Sequence, residues 1–449
     1  MLHWLPDSRR LAVAANNLGQ SGIYDARTGE RLIPLPNASE FTLGANATDV
    51  VLWNEKRLRF FDAATGKSLQ DGAMIVGLTS RDSFLTANGR QVTSLGDGQI
   101  RTFDAYTGQV QCRVPSQFLG DTSLGFRLSP DGSLLVPFNH TGNALPTVTA
   151  IDVETGAKRK DLTLGNVAGN TFSAFSPDNK RIATGATDKL IRIWKVATGN
   201  VEHVLAGHTG TIGRLAWSPD GRHLASTAED KTVRLWDPAT GKLVATYNQF
   251  PQEVIWNPIH CGESLVWTPD SRRLWIALFA DGAQTRNVIS LDVETGTFGT
   301  PENFSNGNNV AFLNMSPDGQ RLLARGADSW TFVRGRDAQD RRLLGQHLGW
   351  TAQWHPDSRR FLGWEPSYGT VGFDVETNRR LGLLFPWLTG DHWFCLGPTG
   401  HYRGSPGVED QIGYVAMLPD GSQRTYTPAE FAKTFGWKNE PEKAELLGK

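Results

Sequence analysis

The chain has 449 residues, and Lys+Arg 45 against Asp+Glu 46 leaves a formal charge of -1, so no basic or acidic field points to nucleic acid or an anionic membrane surface. Hydrophobic residues make up 39% and charged ones 20%, alongside 48 glycines and 23 prolines. That balance excludes disorder and coiled coil and describes a folded chain with many short turns. No stretch reaches the roughly 18 consecutive apolar residues of a membrane-spanning helix, and three scattered cysteines, Cys112, Cys261 and Cys395, argue against a disulfide framework or a zinc site. A reducing, cytoplasmic compartment is expected.

Met1 leads at once into strand-like Leu2-His3-Trp4-Leu5, without the charged start and apolar core of a signal peptide. Such an opening suits the interior of a larger repeat array, and the chain is expected to begin inside one. A repeat then takes over. An apolar or aromatic residue, Asp, two variable residues and Thr-Gly occur at Tyr24-Asp25, Phe61-Asp62, Phe103-Asp104, Ile151-Asp152, Trp236-Asp237 and Leu291-Asp292, with weaker copies at Trp194-Lys195, Val333-Arg334 and Phe373-Asp374. From Asp25 to Asp374 the spacing averages about 44 residues, inside or near the ~40 to 50 residues of a four-stranded propeller blade. A second column runs in register: Pro6-Asp7, Pro130-Asp131, Pro177-Asp178, Pro219-Asp220, Pro269-Asp270, Pro317-Asp318 and Pro356-Asp357, each after an apolar strand. Proline lacks an N–H, and Asp can bond its own backbone two residues on, so each pair is a turn. The runs Arg222–Thr227 and Thr232–Trp236 alternate with period two, as half-buried strands do. The expected unit is four strands, a to d, joined by the Pro-Asp turn, a turn at Asp230 and the Thr-Gly turn.

Gly207-His208, Ser218-Pro219-Asp220-Gly221, Ser226, Asp230 and Trp236-Asp237 together resemble one full WD40 repeat. Residues 166 to 194 keep Ser176-Pro177-Asp178, Asp188 and Trp194 but lack the Gly-His pair, and the other units are more degenerate. The resemblance covers residues 1 to 390 and implies an all-β propeller of four-stranded blades. It also implies that His208, Ser226, Asp230 and Trp236 form a structural hydrogen-bonded set. Binding would then use the face made by the b–c and d–a loops, where Thr187 and Glu229 would lie.

Nine units exceed the four to eight blades typical of a closed ring. Either two rings share the chain, or some units are not blades; we expect leading units over residues 1–80 and a ring of about seven over 81–390. A spacing of 55 residues between Asp237 and Asp292 predicts a long surface loop around Gln249 to Gly262. Residues 391–449 break the period. There Thr427-Pro428-Ala429-Glu430 predicts a capped helix start and Gly436 its end, while Phe431 and Phe435 share one face. The helix is too short to stand alone and is expected to dock on the propeller through Phe431, Phe435 and Trp437, with Lys438–Lys449 in solvent. This tail resembles the C-terminal segment of large bacterial WD40-repeat proteins, in which a Tyr-Arg-Gly-Ser-Pro-Gly stretch like Tyr402–Gly407 precedes a helix and a Gly-Trp-Lys-Asn ending like Gly436–Asn439.

Chemistry is weighed against packing residue by residue. Of 15 tryptophans, Trp4, Trp217, Trp267 and Trp354 fall in the strand a column and Trp194 and Trp236 in the strand c column, where a large ring fills space between blades. Trp256, Trp275, Trp330, Trp350 and Trp364 fall off both columns and are assigned to the core, with an exposed binding surface as the alternative. One Asp per unit puts the carboxylates on different blades, which suits turn capping and not a catalytic pair. His392 and His401 do not have metal-ligand spacing, Gly404-Ser405-Pro406-Gly407 is not a nucleophile elbow, and phosphate-loop and kinase signatures are missing. The resemblance therefore implies a non-catalytic scaffold for protein partners, with no cofactor, metal or nucleic acid. The alternatives are a central-channel enzyme, of hydrolase or quinone-linked oxidoreductase type, and a sensory module of a larger signalling protein.

Overall fold

Pro-Asp and Thr-Gly turns cut the chain into short strands, and β-branched and aromatic residues between them favour extended backbone. The computed structural model describes residues 2–4, 9–13, 22–35, 40–43, 49–54, 57–62, 68–71, 82–86, 91–96, 99–114, 124–139, 145–155, 157–167, 172–251, 265–277, 288–302, 310–326, 330–335, 341–346, 352–365, 369–388, 392–411, 414–417 and 423–447. These residues fall into two compact units: unit 1 holds Met1–Thr79, Phe385–Phe394 and His401–Lys443, and unit 2 holds Ser80–Leu384, Cys395–Gly400 and Ala444–Lys449.

In unit 1, β1 (Leu2–Trp4), β2 (Arg10–Val13), β3 (Gly22–Asp25) and β4 (Arg31–Pro34) make one four-stranded sheet, and β5 (Glu40–Leu43), β6 (Asp49–Asn54), β7 (Arg57–Asp62) and β8 (Ser68–Asp71) make another. Unit 2 begins with the sheets β9 (Asp82–Leu85), β10 (Gln91–Gly96), β11 (Gln99–Asp104), β12 (Val110–Val114) and β13 (Leu124–Leu128), β14 (Leu134–Asn139), β15 (Leu145–Asp152), β16 (Lys158–Val167). The next two are β17 (Phe172–Phe175), β18 (Arg181–Gly185), β19 (Ile191–Lys195), β20 (Val201–Leu205) and β21 (Ile212–Trp217), β22 (Leu224–Ala228), β23 (Val233–Asp237), β24 (Lys242–Tyr247). Then come β25 (Leu265–Trp267), β26 (Arg273–Ala277), β27 (Val288–Asp292), β28 (Thr297–Phe298) and β29 (Val310–Met315), β30 (Leu322–Gly326), β31 (Trp330–Arg334), β32 (Arg341–Gln346). The last group is β33 (Ala352–Trp354), β34 (Arg360–Glu365), β35 (Gly369–Asp374) and β36 (Arg379–Leu388), of which β36 passes into unit 1 at Phe385 and neighbours β37 (His392–Leu396), itself beside β38 (Tyr402–Gly404). The fold is all-β with four-stranded sheets, as expected.

Every sheet follows chain order, so each pairing is antiparallel between consecutive strands: Trp217 lies opposite Leu224, Leu224 opposite Trp236, and Trp236 opposite Leu243. Within unit 2 the first strands touch in succession, β13 on β17, β17 on β21, β21 on β25, β25 on β29 and β29 on β33; β33 then touches β9, which also touches β13. The series returns to its start.

The core lies between the faces of consecutive sheets. Ala183, Ile191 and Ile193 pack against Ile212, Trp217, Leu224 and Trp236; Val233 and Leu235 against Leu265, Trp267, Leu274 and Ile276; Phe312 and Leu323 against Trp354, Phe361, Val371 and Phe373. Each of the larger aliphatic and phenyl side chains contributes about 1.5 to 3 kcal/mol on burial. This corrects the half-buried expectation for the second strand: all of Leu224–Ala228 is buried, because a sheet stacks on either side and even Ser226 and Thr227 are inside. Within the described strands, the exposed large apolar side chains lie on outer strands such as β24, where Leu243 and Val244 reach solvent.

Trp194, Trp217, Trp236, Trp267, Trp275 and Trp354 are all buried. The strand a tryptophans also carry a bond that the sequence does not announce: Trp217 Nε1 donates to Ala174 O (3.0 Å), Trp267 Nε1 to Ala216 O (3.0 Å) and Trp354 Nε1 to Asn314 O (3.2 Å), each a backbone carbonyl on the preceding sheet. The side chains of Trp4, Trp330 and Trp364, both Trp256 and Trp350, and the expected loop from residue 252 onward lie outside what is described.

The tail helix α1 spans Pro428–Phe435 as expected. Thr427 caps it in a capping box with Glu430, and Gly436 closes it at φ 65°, a left-handed conformation that glycine adopts without a Cβ clash. The expected docking on the propeller is not what the described contacts show: the aromatic face of α1 meets β40 (Gln423–Tyr426), which pairs with β39 (Tyr414–Met417) in the tail itself, no helix residue is buried, and Phe435 stays 46% exposed. Phe431 lies 6.1 Å from Tyr426, 4.7 Å from Phe435 and 5.9 Å from Trp437. Trp437 stacks on His401 at 5.2 Å, and the Asn439 amide both receives from Tyr402 N–H and donates to Tyr402 O, at 2.9 Å each. The Tyr-Arg-Gly-Ser-Pro-Gly and Gly-Trp-Lys-Asn stretches thus clip to one another. Nor does the segment after the helix trail in solvent as expected: Ala444, Leu446 and Leu447 are each 0% exposed. Two leucines and an alanine in the final turn are apolar enough to be drawn into unit 2.

Candidate functional site

The residues around His208 stand in a single hydrogen-bonded chain inside the β21–β24 sheet. Trp236 Nε1 donates to Ser226 Oγ (2.8 Å), Ser226 Oγ donates to His208 Nε2 (2.8 Å), and His208 Nδ1 donates to Asp230 Oδ2 (2.8 Å). The donor order requires a neutral imidazole protonated at Nδ1. Burial holds the His208 imidazole below its usual value against the pull of Asp230. Burial would raise the Asp230 carboxyl, but the Thr209 N–H, the Thr232 hydroxyl and His208 hold it below the usual range. His208 Nδ1 and the Asp230 carboxylate are 1% and 6% exposed as side chains, so a substrate reaching for this His–Asp pair would meet protein instead. Its effect is to tie the loop before β21 to β22, the b–c turn and β23.

The preceding unit holds half of the arrangement. Trp194 Nε1 donates to Thr184 Oγ1 (2.9 Å), the same ten-residue offset as Trp236 to Ser226. No His reaches Thr184 among the described contacts, and Asp188 instead pairs with Arg192 at 2.7 Å. The model of the WD domain, G-beta repeat, matches residues 167–195 and 199–237, the two units that carry these tryptophan bonds. These two stretches are WD40 repeats, and the antiparallel sheets around them fit a WD40-repeat protein.

Across the sheets the two Asp columns are spent on turns. Asp25, Asp104 and Asp292 each accept through Oδ1 from the N–H and hydroxyl of the Thr three residues on, at 2.7 to 3.0 Å, and Asp152 does the same with Thr155 at 2.8 and 2.7 Å. In the Pro-Asp turns, Asp131, Asp178, Asp220, Asp270 and Asp318 each accept from the N–H two residues on, at 2.9 to 3.1 Å. Sequence reasoning missed the residue before each proline: Ser129, Ser176, Ser218, Thr268 and Ser316 donate a hydroxyl to that Asp at 2.5 to 2.6 Å. Their recurrence at one position in five units was the available signal.

Thr187 and Glu229 occupy the same place on equivalent b–c turns, Ala186–Lys189 and Ala228–Lys231, each closed by a Lys N–H on an Ala carbonyl at 3.2 and 3.1 Å. Both residues are exposed. The Glu229 carboxylate already accepts the Thr211 N–H at 3.0 Å, so it is part of the turn as well as of the surface. A cleft of about 480 Å³ between the β25–β28 and β29–β32 sheets is lined by Arg272, Arg273 and Arg321 together with Asp270, Asp292 and Asp318, a mixture of signs that gives it no net field for an anion. Among the described residues no group of three or more His, Cys, Asp or Glu could hold a metal ion, and no helix is long and apolar enough to cross a membrane.

Proposed function

We propose that this chain is a non-catalytic scaffold for protein partners, with residues 81–390 forming a ring of about seven WD40-type blades, residues 1–80 two leading units, and residues 391–449 a C-terminal segment with a capped helix. WD40 repeats are generally protein-interaction modules. The observation that carries the proposal is where the polar groups go: His208, Ser226 and Asp230 and the two columns of turn carboxylates are bonded within their own units, while the variable positions Thr187 and Glu229 stand exposed beside them. A rigid frame with variable b–c loops is what a recognition surface requires. The near-zero net charge favours protein over nucleic acid as the partner class, and the four hydrogen-bonded residues are structural in this account.

The test is affinity capture with cross-linking on the full chain, compared with a Thr187→Arg, Glu229→Gln double variant. Gln keeps an acceptor for Thr211, so melting should be unchanged. Loss of the captured partner supports the b–c face, and undiminished capture removes it.

A further inference from the structure

The junction between the last sheet of unit 2, β33–β36, and its first, β9–β12, is unlike the others. Elsewhere the chain itself runs from the outer strand of one sheet to the first strand of the next, whereas β9 and β36 are the two ends of the series. No tryptophan bonds across this junction, since β9 ends on Leu85, just as β13, β17 and β29 end on Leu128, Phe175 and Met315. Side chains cross instead: the Leu85 N–H donates to Gln353 Oε1, and the Tyr106 hydroxyl meets His355 Nε2 at 2.8 Å.

The C-terminal segment lies at the same junction. The Leu446 N–H donates to Tyr106 O at 3.2 Å, and Tyr106 belongs to the turn between β11 and β12. Arg360 Nη1, on β34, donates to Leu447 O at 3.0 Å. Ala444 O is 4.0 Å from the buried Cys395 Sγ. Gly372 on β35 and Gly382 on β36 lie opposite one another, and they form the bed of the segment. A Cβ on Gly372 would stand 2.1 Å from Leu446 O, and one on Gly382 would stand 2.5 Å from Glu445 O. Neither glycine has a left-handed backbone, so the close approach of a second chain segment, and not conformational freedom, is what requires them. Neighbouring residues of one tetrapeptide therefore bond the first sheet and the last.

We infer that Ala444–Leu447 is a strap that holds the first and last sheets of unit 2 together, standing in for the covalent connector that every other junction has.

The experiment is hydrogen exchange with mass-spectrometric readout on four chains: full length and a chain ending at Lys443, each with and without Gly372→Ala. Removing the strap should speed exchange at least about tenfold in β9–β12 and β33–β36 relative to β17–β24, because those sheets would open locally. Gly372→Ala should do the same in the full chain, where its methyl displaces Leu446, and should add nothing in the shortened one. A uniform rise across all sheets, unchanged exchange in the two terminal sheets, or an equal effect of Gly372→Ala with and without the strap would overturn the inference. If the shortened chain does not fold, full-length Gly372→Ala decides alone, a regional rise supporting the strap and a uniform or absent one refuting it.

Discussion

Ser226→Ala tests the hydrogen-bonded chain at its centre. Ser226 is 0% exposed and its one hydroxyl serves two partners, accepting from Trp236 Nε1 and donating to His208 Nε2 at 2.8 Å each. Alanine leaves a buried donor and a buried acceptor unsatisfied. Each such orphan costs about 1 to 3 kcal/mol, so the substitution should cost about 3 kcal/mol or slightly more. The built-in comparison is Thr184→Val in the neighbouring unit, where only Trp194 Nε1 loses its partner; it should cost roughly half as much. Because two units share the chain, the loss is best read as a change in local exchange of β21–β24 beside a calorimetric melting shift. A double-mutant cycle with Trp236→Phe, which removes the indole N–H and keeps most of the ring, should show coupling of order 1 kcal/mol. Equal costs for Ser226→Ala and Thr184→Val, together with zero coupling, would refute the reasoning.

Asp230→Ala should cost about 1 to 3 kcal/mol, since it leaves the buried His208 Nδ1–H only the Thr232 hydroxyl at 3.3 Å in place of the carboxylate at 2.8 Å, while Thr209, which is exposed, can turn to water; a melting shift indistinguishable from zero would contradict it. Trp267→Phe should cost about 1 kcal/mol for its bond to Ala216 O, and the added exchange should appear in β21–β24 as well as β25–β28. Burial keeps the imidazoles of His208 and His355 below their usual value. The unfolded chain therefore binds more protons than the folded one between that lower value and about 6.5, and stability is full above about pH 6.5 and falls as pH drops through this window; a melting temperature that rises on acidification from pH ~7.5 to ~5 would reverse the sign. Leu446→Ala should cost about 2 to 5 kcal/mol, as for a fully buried leucine, whereas a C-terminus in solvent would lose nothing.

The fold class was legible in the sequence because its signals are local. A Pro-Asp or Asp-x-x-Thr-Gly turn is stabilised within five or six residues, and the bonds from Asp131 to the Ser133 N–H and from Asp25 to Thr28 need no distant partner. The same holds for α1, whose cap, capping box and closing glycine lie within ten positions of one another. The set of His208, Ser226, Asp230 and Trp236 was legible through resemblance to a known repeat, since its members are up to 28 residues apart and no turn rule joins them. What only the tertiary structure decided involves stacking. The second strands are buried on both faces because neighbouring sheets cover them, so period-two alternation could not describe Leu224–Ala228. The indole N–H of Trp217 finds its acceptor 43 residues back on another sheet. The C-terminal leucines were expected in solvent, and Leu446 is dry where its backbone lies against two glycines, Gly372 and Gly382, that leave room for it. Such contacts arise from surfaces that exist only once the sheets are assembled, so no periodicity in the chain could announce them.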